Sequence, residues 1–129
     1  MITPLTALGL DVGGTKIAGG VVSLPDGQIQ FSRTLPTTAE RGGAGVFDDV
    51  QRLAQCLIAD ALAAQLEVEI IGLGLCELVS PSGEVLSANC IDWIGLPVRE
   101  RLAMLAPATI EADVRAAAVA ESPPRAWTP

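Results

Sequence analysis

The sequence predicts a single α/β domain built on a mixed sheet whose first three strands are antiparallel. Three apolar runs near the amino terminus are separated by turn residues, a long amphipathic stretch follows, and shorter apolar runs come later. A chain of 129 residues buries about two thirds of its unfolded surface on folding, which is enough for one core. The predicted order of elements is β-β-β-α-β-(hairpin)-α-β-α.

Antiparallel pairing of the first three strands follows from the two short connections between them. The strands are predicted over residues 6–12, 16–24 and 28–35. Gly13 and Gly14 form the first connection, and residues 25–27, Pro-Asp-Gly, form the second. Glycine tolerates positive φ and Pro-Asp-Gly favours a tight turn, so both connections predict hairpins.

Hydrophobic spacing predicts the remaining elements. Apolar residues recur at helical intervals over residues 45–66, which predicts a helix of about five turns across the sheet. Residues 68–75, VEIIGLGL, predict a strand covered on both faces. A turn at residues 81–83 indicates a small hairpin, and Pro97 opens a helix predicted over residues 98–106. A strand over residues 109–111 and an Ala-rich helix over residues 114–121 complete the order.

Composition excludes several classes of function. The formal net charge is −7 and the eight basic residues are scattered, so no nucleic-acid partner is expected. Without histidine or a Cys-x-x-Cys pair, Cys56, Cys76 and Cys90 predict no metal site and are typical of a reducing cytoplasm. The longest apolar run is too short to cross a bilayer, so no membrane partner is expected. Because the chain has no histidine, acid-base catalysis near neutral pH would need Asp or Glu.

The stretch LGLDVGGTKIAGGVV, residues 8–22, combines a strand, a carboxylate, two glycines, a hydroxyl and an ammonium. Gly13 and Gly14 by themselves are explained equally well by an ordinary tight turn. A turn, however, requires neither Asp11 before it nor Thr15 and Lys16 after it. Bare glycines let backbone N–H groups approach phosphates, a hydroxyl adds a hydrogen bond, and a carboxylate holds Mg²⁺ through water. We therefore expect these five residues to bind phosphate and Mg²⁺.

Three segments of the chain together resemble the ROK family of repressors, open reading frames and sugar kinases. LDVGGTKIAGGVV is similar to the first phosphate motif of that family, and GLGLCELVSPSGEVLSANCIDWIGLPVRERL and TIEADVRAAAVAE are similar to two later segments. The family lies within the actin-like, hexokinase-like ATPase superfamily. The resemblance implies a ribonuclease-H-like lobe and the activity of a glucokinase-like, ATP-dependent kinase acting on a hexose.

The resemblance also implies roles for individual residues around the sugar. Asp113 is the expected general base that accepts the proton of the attacking hydroxyl, although an Asp at a strand-to-helix junction is also a favoured helix cap. Asn89 is expected to bond sugar hydroxyls, its alternative being a polar loop position. Glu111 is expected beside the substrate. Asp11 is the expected Mg²⁺ residue, through water.

Two departures from the family pattern affect the expected sugar site. Cys76 and Glu77 stand where the family has Pro-Gly, so Glu77 is expected to lie at the sugar and fill space or compete for hydroxyls. Ala112 stands where the family has Asn, which removes amide hydrogen bonds that select a hexose.

The resemblance implies a domain division and leaves three functions open. Residues 1–121 are the expected amino-terminal lobe, residues 122–129 an irregular tail, and the second lobe of the family is expected to be absent. The candidates are a sugar kinase lobe, inactive as this isolated chain, a sugar-sensing regulator-like module, and a remnant that binds neither ligand. A homo-oligomer through the face of the absent lobe is also expected.

Overall fold

The computed structural model describes residues 4–88 and 90–112, and it confirms the mixed α/β sheet. Five strands lie in the spatial order β3-β2-β1-β4-β5, and the first three form the predicted antiparallel meander. β1 pairs in parallel with β4, and β4 with β5. The strands are Leu5–Val12 (β1), Lys16–Leu24 (β2), Gln28–Pro36 (β3), Ile70–Leu75 (β4) and Ala108–Ala112 (β5).

The three parallel strands end at the same level. Val12 pairs with Leu75, and Leu75 pairs with Ala112. The residues that follow β1 and β4 in the sequence therefore leave the sheet at one edge, the edge at which β5 also ends. In α/β sheets this carboxyl edge is where ligands usually bind.

The core lies on one face of the sheet, beneath the long helix Gly42–Ala63 (α1). Alternation along β1 explains this, because Leu8, Leu10 and Val12 are buried while Gly9 and Asp11 on the opposite face are exposed. A methyl group on Gly19 would approach Leu57 Cδ1 to 2.7 Å, so the helix packs closely against β2.

α1 begins and ends three residues earlier than its hydrophobic spacing predicts. It runs from Gly42 to Ala63, whereas the predicted helix covers residues 45–66. Gln65, with φ of 63°, adopts the left-handed conformation just after the helix. Its N–H donates to the Leu62 carbonyl, and the Leu66 N–H donates to the Ala61 carbonyl. These bonds form a Schellman motif, in which an apolar residue beyond the helix end commonly packs back onto it. Leu66 therefore continues the apolar spacing without continuing the helix.

Two other predicted elements are present but shorter than expected. The hairpin around residues 81–83 consists of a single antiparallel bridge between Val79 and Val85. The second helix, Val98–Ala103 (α2), ends before residue 106 because the Met104 and Leu105 N–H groups bond carbonyls three residues back. The predicted helix over residues 114–121 lies outside the described residues.

The backbone of the first hairpin and the burial of β4 differ from what the sequence predicts. Gly27 has the positive φ expected of a turn glycine, at 74°, whereas Gly13 and Gly14 are not in that region. The first hairpin therefore forms without left-handed glycine. β4 was expected to be covered on both faces, yet Gly72, on the face opposite α1, is exposed, whereas Gly74 on the same face is buried.

Helices in the described ranges, 4–88 and 90–112, do not combine the length and apolar character needed to span a bilayer.

Gly43 provides a test of helix placement, because a Cβ there would lie 1.9 Å from the Asp92 carbonyl oxygen. Alanine favours a helix over glycine by about 1 kcal/mol, but overpacking against rigid backbone costs about 1 to 3 kcal/mol. We expect Gly43→Ala to lower the free energy of unfolding in urea denaturation. Gly72→Ala is the matched control, since its Cβ would meet nothing within 4 Å. Equal stability of both variants would contradict this packing.

Candidate functional site

The glycine turn between β1 and β2 is held from behind by a buried threonine. The Gly13 N–H donates to the Lys16 carbonyl at 2.9 Å, which closes the turn. The Thr37 hydroxyl donates to the Gly13 carbonyl at 2.8 Å, and the Thr37 N–H donates to the Thr15 carbonyl at 2.9 Å. Thr37 is fully buried, whereas Gly14, Thr15 and Lys16 are exposed. Sequence reasoning missed Thr37, because nothing in the sequence links it to a turn 24 residues away.

The tip of this turn offers an open approach to its backbone. Because the Gly13 N–H is already bonded within the turn, Gly14 and Thr15 are the better candidates for contact with a phosphate. A Cβ on Gly14 would lie 4.0 Å from Cys90 Sγ, which is ordinary contact. The fold therefore tolerates a side chain at Gly14, and the missing side chain leaves space in front of the backbone. The turn fits a phosphate group.

Two predicted carboxylates, Asp11 and Glu111, lie in one row across the sheet. Asp11 pairs with Gly74, and Gly74 pairs with Glu111, so all three share the face opposite α1. They contribute to a shallow cavity of about 600 Å³ on that face. Two strand spacings separate the carboxylate-bearing backbones by about 10 Å. Mg²⁺ prefers oxygen ligands and retains several waters, so Asp11 has the chemistry to hold it through water.

Two of the predicted site residues, Asn89 and Asp113, lie outside the described residues. Asp113 is the next residue in the sequence after β5. In the sequence, Asn89 falls between the small hairpin and α2. Their roles stay predictions.

Glu77 is buried, with 3% of its surface exposed, at the start of the connection that follows β4. Its Oε1 accepts a hydrogen bond from the Ser87 hydroxyl at 2.8 Å. Its Oε2 accepts from the Cys90 and Ile91 N–H groups, at 2.7 and 3.0 Å. The carboxylate therefore ties the residues after β4 to the loop around position 89. A direct contact between Glu77 and sugar stays a prediction.

The same loop is anchored a second time, next to α1. Trp93 is buried and meets the Phe47 ring edge-on, with ring centroids 6.1 Å apart. The Arg101 guanidinium lies 4.7 Å from the Phe47 ring centre. The absence of a side chain at Gly43 lets α1 approach the Asp92 carbonyl. Loop residues on both sides of position 89 are thus fixed to the core.

Two cysteines adjoin the Glu77 carboxylate. The Sγ atoms of Cys76 and Cys90 and a carboxylate oxygen of Glu77 lie within 4.8 Å of one another. Burial, the hydrogen bond with Cys90, and the charges of Cys90 and Glu77 raise the pKa of the Cys76 thiol to about 12. Neither histidine nor a Cys-x-x-Cys pair marks this cluster in the sequence, because the fold brings Cys90 back to Cys76 across 14 positions.

The fold and the glycine turn define the class of protein. A lobe with three antiparallel strands, a crossing helix and parallel strands that end beside the turn is the amino-terminal lobe of the actin-like ATPase fold. The ROK family model matches residues 7–126, so the chain belongs to the ROK family.

Solved structures of ROK proteins match most of this chain. A ROK family glucokinase from Streptomyces griseus, in complex with glucose and AMPPNP, is 29% identical with a TM-score of 0.76 over 90% of this chain. The ROK hexokinase from Thermus thermophilus is 32% identical with a TM-score of 0.72 over 91%. A ROK family transcriptional regulator, a homologue of the E. coli MLC protein, shares the fold at 21% identity and a TM-score of 0.74 over 91%.

The chain corresponds to only part of each of these proteins. It spans 36% of the S. griseus glucokinase, 38% of the T. thermophilus hexokinase and 30% of the regulator. No match was found among curated proteins.

The Glu77 hydrogen bonds predict a large effect of its removal on stability. Glu77→Ala would leave the Ser87 hydroxyl and the Cys90 and Ile91 N–H groups without their acceptor. Hydrogen bonds to charged groups contribute about 1.5 to 3 kcal/mol each, but burying the Glu77 carboxylate costs free energy that the alanine variant no longer has to supply. We therefore expect a net loss of about 3 kcal/mol in urea unfolding. Glu84→Ala is the matched control, because Glu84 is exposed on the nearby hairpin. A similar small loss in both variants would show that the Glu77 bonds do not hold the loop.

Proposed function

We propose that the chain is the amino-terminal lobe of an ATP-dependent sugar kinase. The observation that carries this proposal is the exposed glycine turn at the edge where three parallel strands end. This lobe would bind the phosphates of ATP and one side of a hexose. The reaction is transfer of the γ-phosphoryl group of ATP to a sugar hydroxyl.

Phosphate binding is assigned to the tip of the turn. The backbone N–H groups of Gly14 and Thr15 would donate to phosphate oxygens, together with the Thr15 hydroxyl and the Lys16 ammonium. Lys16 is exposed and forms no ion pair with the described part of the chain, so its charge is available for an anion. Asp11 would hold Mg²⁺ through water on the adjoining face. Mg²⁺ would neutralise charge on the phosphates.

Sugar binding is assigned to the loop around position 89 and to the end of β5. Asn89 and Glu111 would bond sugar hydroxyls, and Asp113 would accept the proton of the attacking hydroxyl. Glu77 contributes by fixing the loop that carries Asn89, since its carboxylate bonds the backbone at positions 90 and 91. A carboxylate base suits a chain that has no histidine.

We predict that Gly14→Ala separates phosphate binding from folding. The added methyl would occupy the approach to the backbone and weaken binding of Mg-AMPPNP about tenfold, or about 1.4 kcal/mol. Stability should change by no more than about 0.5 kcal/mol, because the Cβ meets only Cys90 Sγ, at 4.0 Å. Binding is followed by ¹⁵N NMR of the amides at residues 13–16. Gln55→Ala, at an exposed position of α1 outside the cavity lined by Asp11, is the control.

The same titration with glucose, mannose, fructose and their N-acetyl derivatives separates the candidate functions. A kinase lobe shifts amides with both nucleotide and a sugar. A chain whose turn amides do not respond to Mg-AMPPNP is not a kinase lobe, and one that responds to sugar alone is a binding module.

We predict no measurable sugar-dependent ADP release by the 129-residue chain with Mg-ATP. Phosphoryl transfer depends on positioning and charge stabilisation, and well-held geometry supplies about 7 to 11 kcal/mol of the barrier. The chain spans 36% to 38% of the two ROK kinases, so much of that geometry is not built by these residues. The coupled assay is run beside Asp113→Asn. Turnover that disappears in Asp113→Asn would show that one lobe suffices.

The second candidate is a sugar-binding module without phosphoryl transfer. Glu77 favours it, because a buried side chain stands where the family has glycine and fills space that glycine would leave open to the sugar. Ala112, in place of Asn, also reduces the hydrogen bonds available to a hexose.

A further inference from the structure

The connection after β4 and the loop before α2 bring together three side chains of metal-ligand type. Cys76 is half-buried, Glu77 is buried and Cys90 is exposed. One ligand atom from each lies within 4.8 Å of the other two. Neither phosphate binding nor sugar binding accounts for the two thiols.

We propose that Cys76, Glu77 and Cys90 form a binding site for a thiophilic divalent cation of the zinc type. Two sulfurs and one carboxylate oxygen supply three ligands, and the exposed side at Cys90 leaves a fourth position for water. Thiolate ligands select Zn²⁺ and similar ions, whereas Mg²⁺ prefers oxygen donors. This site is therefore chemically distinct from the phosphate turn and Asp11.

The geometry requires only a small contraction of the cluster. Ligand atoms around tetrahedral zinc lie about 3.5 to 3.8 Å apart, given Zn–S distances of about 2.3 Å. Cys76 Sγ already lies 3.9 Å from Glu77 Oε2, and the longest separation in the cluster is within 4.8 Å. An approach of about 1 Å by Cys90 completes the set. The Cys90 side chain is exposed, so rotation about its Cα–Cβ bond can supply this movement while the Cys90 N–H stays bonded to Glu77.

The second coordination shell is already in place. The Ser87 hydroxyl and the Cys90 and Ile91 N–H groups fix the Glu77 carboxylate. Hydrogen bonds of this kind orient a ligand before the ion arrives. On binding, the contact between the Cys76 thiol and Glu77 Oε2 is replaced by a shared cation, and the thiol protons pass to solvent.

The bound ion would cross-link the end of β4 to the loop that lies against the phosphate turn. Cys90 Sγ is 4.0 Å from the position of a Cβ on Gly14. Metal binding thus restrains the loop between positions 77 and 90. This consequence does not depend on the proposed kinase activity.

Cobalt(II) is the spectroscopic probe, used with the reduced 129-residue chain under anaerobic conditions. We expect one Co²⁺ per chain, a thiolate-to-cobalt charge-transfer band, and loss of that band when Zn²⁺ is added. Cys76→Ser and Cys90→Ser should each weaken binding at least about tenfold, because even outer-shell substitutions cost that much. Cys56→Ser is the matched control, since Cys56 is an exposed cysteine on α1, outside the cluster.

The outcomes are distinct. Absence of a charge-transfer band, or an equal effect of Cys56→Ser, would overturn the site. Glu77→Gln tests the oxygen ligand, with circular dichroism as the check on folding. Unchanged Co²⁺ affinity in a folded Glu77→Gln chain would overturn the three-ligand set. If that variant does not fold, the two serine variants decide, together with the rise in melting temperature that Zn²⁺ should cause in the unmodified chain and not in Cys90→Ser.

Discussion

The register of β1 between β2 and β4 is the constraint on which the site depends. β1 pairs antiparallel on one side and parallel on the other, so it joins the amino-terminal meander to the parallel half of the sheet. A shift of one residue would exchange its two faces. Leu8 and Leu10 would then leave the core, and Asp11 would turn towards α1. Burial of the apolar face therefore also fixes where the carboxylate and the glycine turn lie.

The loop before α2 depends on a different kind of interaction. It contains little regular structure, so it cannot be held by a ladder of backbone hydrogen bonds. A buried carboxylate bonds its backbone at one point, and close packing of Gly43 and Trp93 fixes it at another. Hydrogen bonds thus fix the loop at positions 90 and 91, and close packing fixes it at positions 92 and 93. These contacts fix the loop at two points although most of it is on the surface.

The fold was largely predictable because its signals are local. Alternation in β1, Pro-Asp-Gly before β3 and the helical spacing of α1 each operate over a few residues. The helix end was predicted less well, because Leu66 packs back after a left-handed Gln65 and imitates another turn of helix. The glycine turn of the candidate site was also predictable, because Gly13 and Gly14 directly connect two strands that are adjacent in the sequence. Thr37 and the Cys76–Cys90 pairing were not, because both depend on contacts between distant segments.

Gly14 and Gly43 are constrained in opposite ways. Gly43 is required by the fold, since any side chain there meets the Asp92 carbonyl. At Gly14 the protein itself leaves room for a methyl group. Selection for folding alone would therefore preserve Gly43 and allow Gly14 to drift. In a lineage released from nucleotide binding, position 14 would be among the first to change, so its identity among descendants would record whether that function had been kept.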